Sequence, residues 1–432
     1  MPDFHQSLST LGQNAGTPAI SDLMRLALTR PELISLAAGF VDQQSLPAGI
    51  VESAWREIMA DPRAAREALQ YGTTQGDPVL RLALARRLLD ESRSSCQSIT
   101  PDTVAERMII TCGSQQLLYL LAEALINPGD IVIAEAPTYF VFLDLLAARG
   151  AEIIGIPIDS GGMCVETLEK CLYRLKAEGR LDRVKMVYTV SEHSNPSGLS
   201  LAENRRARLV SLAHVFSQNQ KIYVLDDAAY RGLTFTGPES PSVWSHDTHA
   251  DTVIHARTFS KTFSPGIKLG YGVLPPELLK PVLALKGHHD FGTSNLMQRL
   301  ILQVIESGHY ESQVEKLQKL YAAKAHALVE SLESQLGSLQ PAVSWTVPKG
   351  GLYIWLSLPE TISTSRHGEF FAECLEAGVF YVPGEFCYPE TVEGSGRKSN
   401  QMRLCYGVPS EQKIREGIAR LAGVVRKFTA TV

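Results

Sequence analysis

The sequence lacks the features that would take it to a membrane, a nucleic acid or a metal. No apolar run approaches the roughly 20 residues that a bilayer-spanning helix needs, so a membrane partner is not expected. Basic residues do not predominate: 41 Lys and Arg stand against 46 Asp and Glu, a net charge of −5. Nucleic acid selects basic clusters, so it is not an expected partner either. The opening MPDFHQSLST has no charged region followed by an apolar stretch, and a secretory leader is not expected. The seven cysteines (Cys96, Cys112, Cys164, Cys171, Cys374, Cys387, Cys405) are odd in number and scattered, with no CxxC pair. They read as reduced thiols of a cytoplasmic protein, not as a disulfide framework. No cluster has zinc-like spacing, and adjacent His288 and His289 would point apart on a helix, so no metal site is expected. Internal repeats and low-complexity segments are absent as well.

What is present is a long, ordinary globular composition, 432 residues with 44% hydrophobic, enough for more than one domain. Residues 1–45 mix short helical signals with Gly and Pro and read as an arm packing on the C-terminal part. From about Leu46 helix and strand alternate. LRLALARRLL (80–89) is a helix, RMIITC a strand, and QLLYLLAEALI a helix stopped by Asn127-Pro128-Gly129. IVIAEA, EIIGIPI, VKMVYTV, KIYVLDD and TVIHA continue the strands. Short, nearly continuous apolar strands separated by helices indicate an α/β fold with a parallel sheet buried on both faces. A long amphipathic helix at about 311–337 and the strand-rich runs VSWTVPKGGLYIWLSL, FYVPG and QMRLCYGV indicate a second, smaller α+β domain. The predicted division is 1–45 arm, 46–300 large domain and 301–432 small domain, with 389–400 (PETVEGSGRKSN) a mobile surface loop.

Ligands of open parallel sheets bind beyond the carboxyl ends of the strands, and polar groups sit at those ends here. Gly113-Ser114-Gln115 opens the helix after RMIITC, where free N–H groups and the dipole suit a phosphate; as a plain N-cap, Ser114 would need no ligand. Tyr139, after IVIAEA, is placed to stack on a flat heterocycle or to fill core. Asn195, in HSNPSG, is an amide in a turn and suits a phenolate oxygen, though Asn-Pro is turn chemistry in any case. Asp227 ends KIYVLDD, and a buried carboxylate there needs a cationic partner such as a protonated pyridine nitrogen. Asp226 faces the other way along the strand. Lys261 lies on a hydroxyl-rich loop with Thr258 and Ser260, where desolvation would free its amine for a Schiff base. Arg403 offers a fork for a carboxylate, or a structural ion pair.

These segments together resemble the class I/II aminotransferase family of fold-type I pyridoxal-phosphate (PLP) enzymes, in its 2-aminoadipate and aromatic aminotransferase-like branch. The matching stretches run in order from ISLAAGF (34–40) through LQYGTTQGDPVLR, TCGSQQLLYLLAEALINPGD, EAPTYF, SNPSG, DDAAY, TFSKTFSPGIKLGY and PKGGLYIWL to VPGEFCY and MRLCYG. The resemblance implies a mostly parallel seven-stranded sheet in the large domain. It also implies PLP held by Lys261 as a Schiff base, with Asp227 on the pyridine nitrogen and Asn195 and Tyr230 on the ring hydroxyl. Tyr139 would stack on the ring, and Gly113, Ser114, Gln115, Thr258, Ser260 and Lys268 would surround the phosphate. Arg403, with the backbone near Gly39, would grip the substrate carboxylate. A homodimer with shared sites is implied, in which Tyr71 and the turn Thr293-Ser294 reach the partner's phosphate.

Two departures stand out. Lys268 occupies a position where most of the family has Arg, so a point charge replaces a fork. Glu192-His193-Ser194 replaces a typical aromatic and amide, and His193 is expected to face the substrate as an extra acid or base, or to be a wall residue. The expected activity is transfer of an amino acid's α-amino group to a 2-oxo acid. The change at 192–194 motivates an alternative, elimination, replacement or cyclisation at the β- or γ-carbon. A regulator on the same fold would carry a winged-helix domain ahead of it, for which the residues before the first motif are too few and not basic.

Overall fold

The computed structural model describes residues 7–16, 19–92 and 99–430; Cys96 lies outside them. Alternation along the central strands explains why they read as unbroken apolar runs. Val132 and Ala134 enter one core while Ile131 and Ile133 enter another, and Leu225 and Val224 divide the same way. A strand with both faces buried has no polar side to show.

The sheet has nine strands. Seven form its body, in the spatial order Glu152–Asp159, Ile131–Ala136, Val184–Thr189, Tyr223–Asp227, Val253–Thr258, Gly270–Val273, Met108–Thr111. All neighbours are parallel except Gly270–Val273, which is antiparallel to both of its partners. Two short strands extend the Glu152–Asp159 edge: Gly162–Met163 folds back on it, and Thr391–Val392 pairs with it in parallel. The segment 389–400, expected as a mobile surface loop, is thus partly pinned: Glu393 donates its N–H to Gly155 at 2.8 Å and its carboxylate pairs with Arg174.

Of these seven, Gly270–Val273 is the strand that sequence reading missed. Its glycines are required by the helix Gly113–Leu125, which passes directly against it. A Cβ on Gly270 would lie 2.7 Å from the Gly113 carbonyl carbon and 2.8 Å from Ser114 N.

The C-terminal part carries a four-stranded antiparallel sheet of Ser344–Trp345, Tyr353–Ser357, Gln401–Cys405 and Val382–Pro383. The helices His309–Leu336 and Glu411–Thr429 pack together beside it. From the N-terminal segment, Ile34–Ser35 pairs in parallel with Val379–Phe380, and Leu36 O accepts the Cys405 N–H at 2.7 Å. This pairing brings Gly39 to the end of the strand that holds Arg403.

The backbone approach at Gly270 gives a test. Gly270→Ala should destabilise the protein by about 1–3 kcal/mol, as overpacking into unyielding backbone does. Gly49→Ala, on an exposed helix turn with nothing within 4 Å, should leave the thermal midpoint unchanged or raise it. Thermal denaturation of both variants beside the parent checks the pair.

Candidate active site

The carboxyl ends of the parallel strands open on a cavity of about 340 Å³, the size of a small-molecule pocket. Of the residues singled out from sequence, Gly113, Ser114, Gln115, Thr258, Ser260 and Lys268 line one end of it. Tyr139, Asn195, Asp227, Tyr230 and Lys261 line its middle, and Gly39 and Arg403 its far side. Chain positions from 39 to 403 therefore converge because each follows a strand end or pairs beside one.

Asp227 is buried at the end of its strand. Tyr188 donates its hydroxyl to Oδ2 at 3.1 Å, while Oδ1 has no partner among the described residues. Burial pushes the carboxyl up to about 7 against the pull of that hydrogen bond. Asp226 points to the other face, where it accepts from His255 Nδ1 at 2.8 Å and from Ser191. Burial opposes its ionisation too, but those two hydrogen bonds hold it below the usual carboxylate range. Adjacent carboxylates thus differ in state because strand alternation gives them different surroundings.

Lys261 Nζ donates to Gly39 O at 2.8 Å. Burial lowers its amine to about 8, with the nearby charges of Arg403 and Lys268 adding to the effect and Cys405 opposing it. Arg403 is buried; its Nη1 donates to Asn195 Oδ1 and its Nη2 to Ala37 O, both at 2.7 Å, and Nε has no partner among the described residues. The Tyr353 ring lies 4.5 Å from the guanidinium, and the Tyr353 and Tyr230 hydroxyls are 3.0 Å apart. A Cβ on Gly39 would lie 2.8 Å from the Tyr353 hydroxyl. Tyr139, just before the helix Phe140–Ala148, donates its hydroxyl to Gln115 at 3.3 Å.

At the other end, Ser114 and Gln115 stand in the first turn of Gly113–Leu125, whose N–H groups have no carbonyl one turn back. The hydroxyls of Thr258 and Ser260 are 3.0 Å apart beside it. Lys268, exposed and in the left-handed region at φ 53°, closes that end. An orphaned carboxylate oxygen at one position, an anion cradle at another and a neutralisable amine between them fit PLP.

Three of the singled-out residues lie elsewhere. His193, expected on the substrate side, is turned away from the cavity: its ring is buried against Gly350 and Gly351 and lines a separate cavity of about 260 Å³. Its neighbour Glu192 is drawn the same way by the buried guanidinium groups of Arg206 and Arg231, each 2.7 Å from Oε1. Tyr71 is 81% exposed and outside its own chain's pocket, its ring edge-on to Phe291 at 5.5 Å. Thr293, expected to reach outward with Ser294, instead donates its hydroxyl inward to Ile110 O at 3.2 Å. Sequence reasoning missed Tyr353, Phe40 and Tyr188. The alternation of PKGGLYIWL could have found Tyr353, since the motif is a strand beside the one carrying Arg403.

Known proteins are similar to this chain in sequence and fold. A family model described as aminotransferase class I and II matches residues 31–421. The aromatic-amino-acid aminotransferase 1 of Thermococcus litoralis is 32% identical over 98% of this chain and 95% of its own. The 2-aminoadipate transaminase of Thermus thermophilus is 28% identical over 98% of each. Among solved structures, Pyrococcus horikoshii kynurenine aminotransferase in complex with PMP is similar at a TM-score of 0.88 and 33% identity, over 99% of this chain and 98% of that one.

The state of Lys261 gives a pH dependence with a definite sign. A lowered pKa means the neutral, nucleophilic amine gains population as pH rises, reaching half at about 8 and levelling off above it. Labelling of Lys261 by a small aldehyde and borohydride, followed by peptide mass spectrometry, should rise about tenfold per pH unit below that value and level off above it. An ordinary surface lysine would keep rising up to its usual value of 10.5.

Proposed function

The chain belongs to the class I and II aminotransferase family, and on that premise we propose how its pocket performs the reaction. It is a PLP-dependent enzyme that transfers the α-amino group of an amino acid to a 2-oxo acid. When bound, the cofactor supplies an electron sink for the amino acid's α-carbon and a carrier for its nitrogen. The observation that carries the assignment of roles is the unpartnered Oδ1 of Asp227 in a pocket that also holds Lys261 and Arg403.

Lys261 anchors the cofactor through Nζ. Once freed, the same nitrogen accepts the substrate's α-proton, which a desolvated amine near neutrality can do and an ordinary lysine cannot. Asp227 Oδ1 would accept a hydrogen bond from the protonated ring nitrogen and keep its charge. Asn195 and Tyr230 would hold the ring oxygen, and Tyr139 would lie against the ring. Ser114 and Gln115 give N–H donors to the phosphate, Thr258 and Ser260 give hydroxyls, and Lys268 gives a point charge. Arg403 grips the substrate α-carboxylate, its plane fixed by Tyr353, with the Gly39 backbone alongside.

The alternative of elimination, replacement or cyclisation at the side chain loses its motive. It rested on Glu192-His193-Ser194 facing the substrate, and of these Glu192 is held by Arg206 and Arg231 and His193 by Thr234 and Ser200.

The reading includes a homodimer in the cytoplasm, divided at about residue 300 into a cofactor-binding part and a C-terminal part. The exposed Tyr71–Phe291 pair supports a second copy of the chain as partner, with Tyr71 entering that copy's site. The six described cysteines are all free, which supports a reducing compartment. Among the described residues no helix is long and apolar enough to cross a membrane.

The test is the half-reaction, followed by absorbance of the pyridoxamine form as amino acids are added. Lys261→Ala should abolish it. Arg403→Lys should raise KM by roughly 10–100-fold, since a bidentate charge-assisted contact is worth about 1.5–3 kcal/mol. Absence of any half-reaction, with loss or exchange of a side-chain group instead, would overturn the assignment.

A further inference from the structure

His193 is the singled-out residue for which the mechanism above has no use. It lies in the turn between the strand Val184–Thr189 and the helix Glu203–Phe216, yet its side chain is only 3% exposed. Its backbone is left-handed, at φ 47°, which a residue with a Cβ adopts only where the surroundings over-determine it.

The hydrogen bonds around the ring define its state. Ser200 Oγ accepts the His193 backbone N–H at 2.9 Å and lies 3.3 Å from Nδ1, so the hydroxyl proton is left to point at Nδ1. Nε2 is 2.7 Å from Thr234 Oγ1, and that hydroxyl donates onward to Glu239 at 2.9 Å. The chain of donors therefore needs an acceptor at Nδ1 and a proton on Nε2, the neutral imidazole. Burial lowers the ring's pKa and favours the same form.

The ring's flat side rests on the segment that leads into Tyr353. A Cβ on Gly350 would overlap the imidazole, and one on Gly351 would lie 2.7 Å from His193 Cβ. Beyond Asn195 the same turn makes a second contact, where a Cβ on Gly198 would collide with the Tyr353 carbonyl oxygen. The turn thus touches the 350–353 segment on both sides of Asn195. Both partners bear on one guanidinium: Asn195 Oδ1 accepts from Arg403 Nη1 at 2.7 Å, and the Tyr353 ring lies 4.5 Å from it.

We propose that His193 is a positioning residue, a neutral wedge between the Asn195 turn and the Gly350–Tyr353 segment that sets the gap in which Arg403 receives a carboxylate. It touches neither substrate nor cofactor. The proposal rests on Arg403 as the carboxylate clamp.

The holoenzyme tests it with three variants. His193→Ala should raise KM for the amino donor about tenfold or more with kcat within about threefold, because a displacement on the order of 1 Å can cost roughly a hundredfold. His193→Gln, whose amide nitrogen can reach the place of Nε2, should stay within about threefold of the parent KM. Thr234→Val removes the acceptor of that N–H at nearly constant size and should raise KM by less than His193→Ala does. A second readout needs no turnover: the Kd of 3-phenylpropionate, an unreactive carboxylate, taken from the cofactor's absorbance, should shift in parallel with KM. An inactive parent would therefore count against the reaction assignment and still leave the wedge measurable by Kd. A loss confined to kcat, an unchanged Kd in His193→Ala, or His193→Gln as impaired as His193→Ala would overturn the proposal. Should His193→Ala fail to fold, Thr234→Val with unchanged KM and Kd would overturn it equally.

Discussion

Asp227 ends a buried central strand with one carboxylate oxygen bonded to the Tyr188 hydroxyl at 3.1 Å and the other without a partner among the described residues. Burying a charge in that state is costly, and the carboxyl responds by shifting up to about 7. A cationic ring nitrogen removes the penalty from both sides, because its N–H satisfies Oδ1 and its charge restores the carboxylate. The sheet exists in a form that maintains this unmet acceptor. Parallel strands buried on both faces leave no water to reach Asp227 from behind, and Tyr188, on the neighbouring strand, holds Oδ2 so that Oδ1 faces the pocket.

The ground behind the pocket is held by a different kind of interaction. Glu192 sits between Arg206 and Arg231, and all three are almost wholly buried. Removing one partner of such a group leaves an uncompensated charge and costs about 3–5 kcal/mol. Arg231 also reaches Glu91, which pairs with Arg257 at 2.8 Å. The network therefore joins the turn before Asn195 to the end of the helix Pro78–Ser92 and to the strand that leads to Lys261. Its place draws the Glu192 side chain into the scaffold behind the pocket rather than into the cavity.

Most of the site was legible because strand ends announce themselves. An apolar run followed by Gly-Ser, Asn-Pro, Asp or Ser-Lys marks a carboxyl edge, and Gly113, Asn195, Asp227 and Lys261 were found that way before their convergence was known. Arg403 was legible as a fork on a strand but not as a neighbour of Asn195, since 208 residues separate them. Direction was the part that could not be read. In a turn no period assigns a face, and His193 was expected toward the substrate when buried arginines draw its neighbour the opposite way. The strand Gly270–Val273 was hidden for a related reason: its glycines read as loop, whereas their lack of a side chain is demanded by a helix first met more than 140 residues earlier. What a residue must avoid is a tertiary fact, and local pattern carries little of it.

The balance of charge in the pocket is lopsided in a way that suits its ligands. Lys261, Lys268 and Arg403, with the positive end of the helix Gly113–Leu125, surround a single carboxylate. Their mutual repulsion adds to burial in lowering the Lys261 amine. A phosphate at the helix end and a carboxylate at Arg403 each relieve part of that repulsion, so the two anionic ends of cofactor and substrate are drawn to opposite sides of Lys261. The amine between them then sits where a cofactor carbon and a substrate α-carbon would meet. Lys268 matters to this more through its charge than through its geometry. It is exposed, and the role proposed for it needs a positive charge near the phosphate, which a lysine supplies even without the planar fork of an arginine.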